Sequence, residues 1–273
     1  MTASQRTPGR RTRIRKAAVL LVTVLCIALS LTGCQINGTA PDDLGHAWAS
    51  TCPKDKKVAA ALDIDVSGSA SVTEVSGGFE QALRDRAARV GMCGGRLRVS
   101  AFAGSNAGTE TLFDGTVTVK GSTTNAKARL LLAAVDAVVE AVGQKFPLNT
   151  AAMAPGSDIV GQLWNAQTYA SQLGDGYVLD LVIQTDGLDT KTLPTREIVD
   201  TATAATAAQA VRVPQLPGAW VTITGLGEVA GTPVDTTVTE ALTTFYGHVC
   251  KRTGVARCVV AVDYVSPVGG EGS

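Results

Sequence analysis

Short apolar runs alternate along most of the chain with longer segments in which apolar residues recur every three or four positions. The apolar runs predict buried strands at residues 58–65, 97–103, 111–119, 177–185, 219–226 and 258–265. The longer segments predict helices at residues 76–90, 125–146, 157–173, 197–211 and 238–251, with Pro147 ending the second. This alternation predicts an α/β fold with a doubly wound, mostly parallel sheet flanked by helices, in which residues 111–119 form an edge strand.

The first 33 residues do not follow this alternation. Five basic residues lie within positions 10–16, and positions 17–31 are apolar or small except for Thr23 and Ser30. This layout is typical of a signal peptide. A single transmembrane helix is the alternative, but the run is at or below the ~20 apolar residues that span a bilayer.

The apolar run ends in Leu31-Thr32-Gly33-Cys34, where small residues precede a cysteine. This sequence resembles the processing box of bacterial lipoproteins. The resemblance implies that the chain is cleaved before Cys34 and that this cysteine receives the lipid, such as palmitate. We therefore expect a lipid-anchored protein on the extracytoplasmic face of a bacterial cell membrane.

The rest of the chain divides into three parts. Residues 34–50 are polar, contain Gly38, Pro41 and Gly45, and are predicted to form a flexible tether. Residues 51–266 are predicted to form one domain, and residues 267–273 an unstructured tail.

Removal of the predicted signal peptide changes the charge of the protein. The chain has 24 Lys and Arg and 24 Asp and Glu residues, and six of the basic but none of the acidic residues lie in positions 1–33. The mature protein is therefore mildly acidic, with a net charge of about minus six. Because no basic patch remains, nucleic-acid binding is not expected.

Cysteine usage agrees with export. Cys26 lies in the predicted signal peptide and Cys34 at the lipid site, which leaves an even number for the domain. These are Cys52, Cys93, Cys250 and Cys258. Three pairings are possible, and placement along the predicted elements favours Cys52 with Cys93 and Cys250 with Cys258. A four-cysteine zinc site is the rival interpretation, but the chain lacks a Cys-x-x-Cys motif.

Oxygen-bearing side chains are found in three loops of the predicted domain. The loops are Asp65-Val66-Ser67-Gly68-Ser69 after the first strand, Gly156-Ser157-Asp158-Ile159 at the start of a helix, and Asp186-Gly187 after the 177–185 strand. In doubly wound sheets, ligands bind where loops leave the carboxyl ends of the strands. Each motif alone could be an ordinary turn, helix cap or loop.

Together the three motifs, in this order, resemble the metal-ion-dependent adhesion site (MIDAS) of von Willebrand factor A (vWA) domains. The resemblance covers most of residues 58–265. It implies a divalent cation, Mg²⁺ or else Mn²⁺ or Ca²⁺, bound by oxygen atoms of five residues. These are Asp65, Ser67, Ser69, Ser157 and Asp186. Ser157 stands where the family has threonine, which keeps the hydroxyl but loses the methyl group.

In this family one coordination position is left for an acidic residue of a partner protein, so the resemblance implies adhesion and not enzymatic activity. An alternative is a phosphatase resembling the haloacid dehalogenases, with Asp63 and Asp65 as its two aspartates. The lysine that such enzymes need is missing between Lys145 and Lys191. A structural scaffold in an envelope complex is a further alternative.

Three other acids need an explanation. Asp63 and Asp180 lie inside predicted strands, where a buried carboxylate needs a partner, and Arg98 on the neighbouring strand is one candidate. Asp189 follows Asp186 closely, so bending of the loop and added negative charge near the ion are two interpretations of it, and a solvated loop acid is the commoner third. His46 and His248 support neither a zinc site nor a general base.

Overall fold

Six α-helices, one short 3₁₀ helix (Thr195–Glu197) and six strands are found in the part of the chain that the structure describes. This computed structural model describes residues 41–68, 72–105, 107–149, 155–192, 195–198, 200–229 and 234–268. The predicted signal peptide, Cys34 and Ser69 lie outside these residues. The strands are β1 (Lys57–Asp65), β2 (Gly95–Phe102), β3 (Thr109–Gly115), β4 (Tyr177–Gln184), β5 (Trp220–Thr224) and β6 (Arg257–Val260). The helices are α1 (Pro41–Ser50), α2 (Val72–Cys93), α3 (Thr124–Asn149), α4 (Ile159–Leu173), α5 (Thr201–Ala210) and α6 (Thr236–Arg252).

The six strands form one sheet in the order β3-β2-β1-β4-β5-β6. All neighbouring strands are parallel except β3, which pairs antiparallel with β2 at the edge of the sheet. The predicted α/β class, the mostly parallel sheet and the edge strand are thus confirmed. The strand order reverses beside β1, which places the carboxyl ends of β1 and β4 at the switch point of the sheet.

Helices cover both faces of the sheet. Leu62 of β1 packs with α1, α2 and α3 on one face, whereas Ala61 beside it packs with α4, α5 and α6 on the other. Because both faces are covered, eight of the nine residues of β1 are buried. This explains why the central strands are mostly apolar in the sequence and lack the alternation of a strand with one exposed face.

The predicted flexible tether was wrong for residues 41–50, which form α1. Pro41 occupies the first position of this helix, where its missing N–H has no intrahelical acceptor in any case. Trp48 is fully buried, and Gly45 lies so close to α3 that a Cβ atom on it would be 2.5 Å from the Cβ of Ala128. Leu44 packs against the same core as Trp48, but one pair of large apolar residues in ten positions is too short to show a sustained period.

Two other predicted boundaries differ from the structure. Helix α3 continues past Pro147 to Asn149, because a proline near the end of a helix removes a single backbone donor and the helix can finish its last turn. Val268, which was predicted to lie in the unstructured tail, packs against the core on the α2 face.

Both predicted disulfides are present. Cys52–Cys93 joins the segment after α1 to the end of α2, with Cα atoms 5.1 Å apart. Cys250–Cys258 joins the end of α6 to β6, with Cα atoms 6.1 Å apart. Because all four sulfur atoms are bonded in pairs, the rival zinc site is excluded.

No helix within the described ranges has the length and apolar character needed to cross a membrane.

Candidate metal centre

The carboxylate of Asp65, at the end of β1, is the point where the three predicted loops meet. Its Oδ1 accepts hydrogen bonds from the backbone N–H of Ser67 and from the hydroxyl of Ser157, both at 2.9 Å. Its Oδ2 accepts a hydrogen bond from the hydroxyl of Thr185 at 2.7 Å. Ser157 and Thr185 are 92 and 120 positions away in sequence. The fold therefore brings separate loops to a single carboxylate.

Ser157 is held in place by the first turn of α4. The Asp189 carboxylate accepts hydrogen bonds from the N–H groups of Ile159 and Val160, at 3.0 and 3.3 Å. These donors have no partner within the helix, and the positive end of the helix dipole favours an acid here. The other oxygen of Asp189, Oδ1, accepts hydrogen bonds from the N–H groups of Lys191 and Thr192 at 2.8 and 2.9 Å. Asp189 thereby fixes the loop after β4 to the start of α4.

Of the interpretations of Asp189, the solvated loop acid was therefore wrong. Its side chain is almost completely buried, and burial raises the pKa of its carboxyl while the backbone N–H groups of Lys191, Thr192 and Val160 lower it.

Asp186 lies in a tight turn that directly follows Thr185. Its Oδ1 accepts a hydrogen bond from the N–H of Leu188 at 2.8 Å. Gly187 has a φ of 86°, and a Cβ atom on it would lie 2.8 Å from a methyl carbon of Leu226. The carbonyl of Gly187 accepts hydrogen bonds from the hydroxyls of Tyr246 and Thr195, each at 2.9 Å. Asp186 is thus positioned by a turn that has little freedom to move.

The two carboxylates of the site repel each other. Burial raises the pKa of the Asp65 carboxyl to about 6, and the negative charge of Asp186 is the second cause of the increase. Hydrogen bonds from Ser67, Thr185 and Ser157 lower the pKa in turn. A cation between the carboxylates would remove this repulsion.

The residues that meet here suit a hard divalent cation. Carboxylate and hydroxyl oxygens are the ligands that Mg²⁺ prefers, and Mg²⁺ keeps several waters. Within the described ranges no three His, Cys, Asp or Glu side chains converge, so serine hydroxyls have to complete the ligand set. Ser67 is almost buried, and Gly68 next to it is exposed. The site therefore lies directly beneath the surface at this loop.

The two acids inside the strands have separate partners. Asp180 forms buried ion pairs with Arg86 at 3.1 Å and Arg89 at 2.6 Å, both on α2. Arg98 instead faces Asp63, with 4.0 Å between its Nη2 and the Asp63 Oδ1. Burial raises the pKa of Asp63 to about 6, and Arg98 and Ser100 lower it. Both acids are structural parts of the sheet.

The surroundings of Asp63 do not support the alternative of a phosphatase that uses Asp63 and Asp65 as its two aspartates. Its side chain is fully buried, one pleat deeper in β1 than Asp65. Arg98, which faces it, is stacked against the ring of Tyr169 on α4 at 4.4 Å. A phosphorylated substrate would have to displace these side chains to reach Asp63.

Three residues that build the site were not among its predicted members. Thr185 bonds Asp65, Asp189 fixes the start of α4, and Tyr246 holds the turn at Gly187. The proximity of Thr185 to Asp186 is the one clue, and it does not separate a ligand-orienting hydroxyl from an ordinary strand residue.

No family model and no curated protein matches this chain. Two crystal structures of the pilus adhesin SpaC from Lactobacillus rhamnosus GG are similar to it. The first, in an open conformation, shares 13% identity over 78% of this chain and 28% of the adhesin, with a TM-score of 0.42. The second shares 12% identity over 78% of this chain and 29% of the adhesin, with a TM-score of 0.43. The chain thus spans less than a third of the length of that adhesin.

Proposed function

We propose that this protein is a cell-envelope lipoprotein whose vWA-like domain binds a partner protein through a divalent metal ion. The cation is Mg²⁺, with Mn²⁺ or Ca²⁺ as alternatives, and its ligands are Asp65, Ser67, Ser69, Ser157 and Asp186. A carboxylate of the partner completes the coordination. The function is binding and involves no catalysis, and Cys34 anchors the protein to the membrane.

The observation that supports this proposal is the convergence of separate loops on Asp65. The hydroxyl of Ser157 donates a hydrogen bond to the Asp65 Oδ1 at 2.9 Å. The lone pairs of the Ser157 Oγ therefore remain available to a cation. Asp186 is near enough for its charge to raise the pKa of Asp65. Two carboxylates balance the formal charge of a divalent cation but fill only part of its octahedral coordination, so a carboxylate oxygen of a partner can replace a bound water.

Each residue has a distinct role in this proposal. Asp65 orients the hydroxyl of Ser157 and the loop of Ser67, while Thr185 holds the Asp65 carboxylate from the other side. Asp186 supplies the second negative charge. A metal bound here would supply electrostatic attraction for a carboxylate of the partner, and its vacant position would give that attraction a direction.

The test uses Mn²⁺ as a spectroscopic substitute and acetate as the simplest carboxylate. Electron paramagnetic resonance of the protein with Mn²⁺ should show one bound ion, which Mg²⁺ displaces. Addition of acetate labelled with ¹³C at the carboxyl carbon should give a hyperfine coupling to the bound ion. Asp186→Ala should lose both signals, whereas Asp175→Ala, an exposed acid at the opposite end of β4, should keep them.

The possible results separate the three functions. Absence of bound Mn²⁺ would refute the metal site. A bound ion that never takes acetate would leave the metal as a structural element and favour the scaffold alternative. Hydrolysis of a phosphate ester that depends on Asp63 would restore the enzyme hypothesis.

A further inference from the structure

A cavity of about 390 Å³ opens beside the candidate metal centre. Its walls come from the first turns of α4, the loop after β4 and the end of α5, and they include Asp158, Thr192 and Val211. Asp158 directly follows Ser157, so the cavity begins one residue from a proposed metal ligand. Its volume lies within the range of sites that bind small ligands.

The wall nearest the metal centre is fixed by hydrogen bonds. The Asp158 Oδ1 accepts from the N–H of Gly161 at 2.9 Å and from the hydroxyl of Thr192 at 3.0 Å. The same loop is held to α4 by Asp189. The cavity is therefore formed before any partner arrives, and binding there costs little ordering of the protein.

One side of the cavity is formed by an exposed tryptophan. Trp164 on α4 is 36% exposed, and it is the one aromatic among the large apolar side chains that are exposed in the described part of the chain. An indole ring at the surface is typical of positions that dominate protein interfaces, because it buries a large area with few rotatable bonds.

Two charged residues, Asp158 and Arg212, line the cavity. The Cε of Lys191 would be 3.7 Å from a Cβ atom on Gly156 beside Ser157. The side chains of Arg212 and Lys191 are exposed, and neither forms an ion pair with a carboxylate of the described ranges. The Asp158 carboxylate already accepts hydrogen bonds from Gly161 and Thr192, whereas the guanidinium of Arg212 is available to pair with a carboxylate of a partner.

We propose that this cavity binds a second acidic side chain of the same partner segment. The inference rests on the proposed function, in which a first carboxylate binds the metal. The aliphatic part of the second side chain, a glutamate in its simplest form, packs on Trp164, and its carboxylate pairs with Arg212. The partner is thus a protein segment with two acidic residues a short distance apart.

The test uses synthetic peptides with two glutamates separated by one to four glycines, because residues of an extended chain are about 3.3 Å apart. The control peptide for each spacing has the second glutamate replaced by glutamine. Each peptide is titrated into the ¹⁵N-labelled full chain in detergent with saturating Mg²⁺. The chain has three tryptophans, and Trp164→Phe identifies the indole N–H signal of Trp164.

At least one spacing of the two-glutamate peptide should shift the Trp164 indole signal and bind about fivefold tighter than its control peptide. Arg212→Gln should remove this gain. Arg129→Gln, the same change at an exposed position of α3 on the opposite face of the sheet, should retain it.

The outcomes distinguish this inference from the proposed function. If both peptides bind equally in a Mg²⁺-dependent manner and the Trp164 signal does not move, the second subsite is refuted while the metal site stands. If neither peptide binds in Mg²⁺, both proposals fail. If the gain survives Arg212→Gln, the cavity does not recognise the second carboxylate as proposed.

Discussion

Replacing Asp186 by asparagine should make the metal-free protein more stable and at the same time abolish its stabilisation by Mg²⁺. The change keeps the shape of the side chain, and the amide oxygen can still accept the hydrogen bond from Leu188. It removes one of two negative charges at the site. A residue that binds metal is thus expected to destabilise the fold when the metal is absent.

The size of the effect follows from the electrostatics of Asp65. The rise in its pKa from 3.8 to about 6 corresponds to about 3 kcal/mol. Burial is the larger cause and Asp186 the second, so we assign about 1 kcal/mol to repulsion between the two carboxylates. For a domain of this size, that value corresponds to an increase in melting temperature of about 2–4 °C.

Thermal unfolding at pH 8, which is above the pKa of about 6 of Asp65, measures the two effects separately. In chelator, Asp186→Asn should melt above the unmodified protein. With Mg²⁺ at about one hundred times its dissociation constant, the unmodified protein should gain about 2.7 kcal/mol, and the variant should gain nothing. Asp175→Asn, at the opposite end of β4, should change neither quantity.

Two results would refute this reasoning. A variant that is less stable than the unmodified protein in chelator would mean that Asp186 supports the fold as a structural acid. Equal stabilisation of both proteins by Mg²⁺ would mean that the ion binds elsewhere.

Three further predictions concern the ligands, the anchor and the disulfides. Ser157→Ala should weaken Mg²⁺ binding about tenfold in titration calorimetry because a ligand and the donor to Asp65 are lost together, whereas Ser157→Thr should bind normally; equal affinities would exclude the hydroxyl as a ligand. Cys34→Ala should abolish metabolic labelling with palmitate, and persistent labelling would place the lipid elsewhere. Alanine at both Cys52 and Cys93, which are 41 positions apart, should lower the free energy of unfolding in urea by about 4 kcal/mol, against about 2.5 kcal/mol for the disulfide that spans 8 positions; the reverse order would contradict the loop-entropy explanation.

The sheet could be predicted from the sequence because its central strands are buried on both faces. Strands β1 and β4 are therefore mostly apolar, with Asp63 and Asp180 as the acids inside them, and their predicted bounds differ from the observed ones by a single residue. Helix α1 could not be predicted in the same way. Its contact with the core rests on Leu44, on Trp48 and on the close approach of Gly45 to α3, and a single pair of large apolar residues in ten positions does not make a sustained period.

The site was predictable to a similar degree. Asp65, Ser157 and Asp186 follow a recognisable order along the chain, and Asp65 and Ser157 are in direct contact. The hydrogen bond from Thr185 and the capping of α4 by Asp189 depend on which loops meet in space. Local sequence does not show which loops are in contact in the folded protein. Thr185 and Asp189 could therefore not be distinguished from ordinary strand and loop residues.

The position of β1 between two parallel neighbours has a mechanical consequence. The chain enters β1 from α1 and the Cys52–Cys93 crosslink, and it leaves at Asp65. If the protein is anchored before α1 and a bound partner pulls at Asp65, the tension runs along the axis of β1. Eight residue pairs with β2 and eight with β4 would then resist together in shear, so an adhesive contact could bear load without unzipping the strand that supports it.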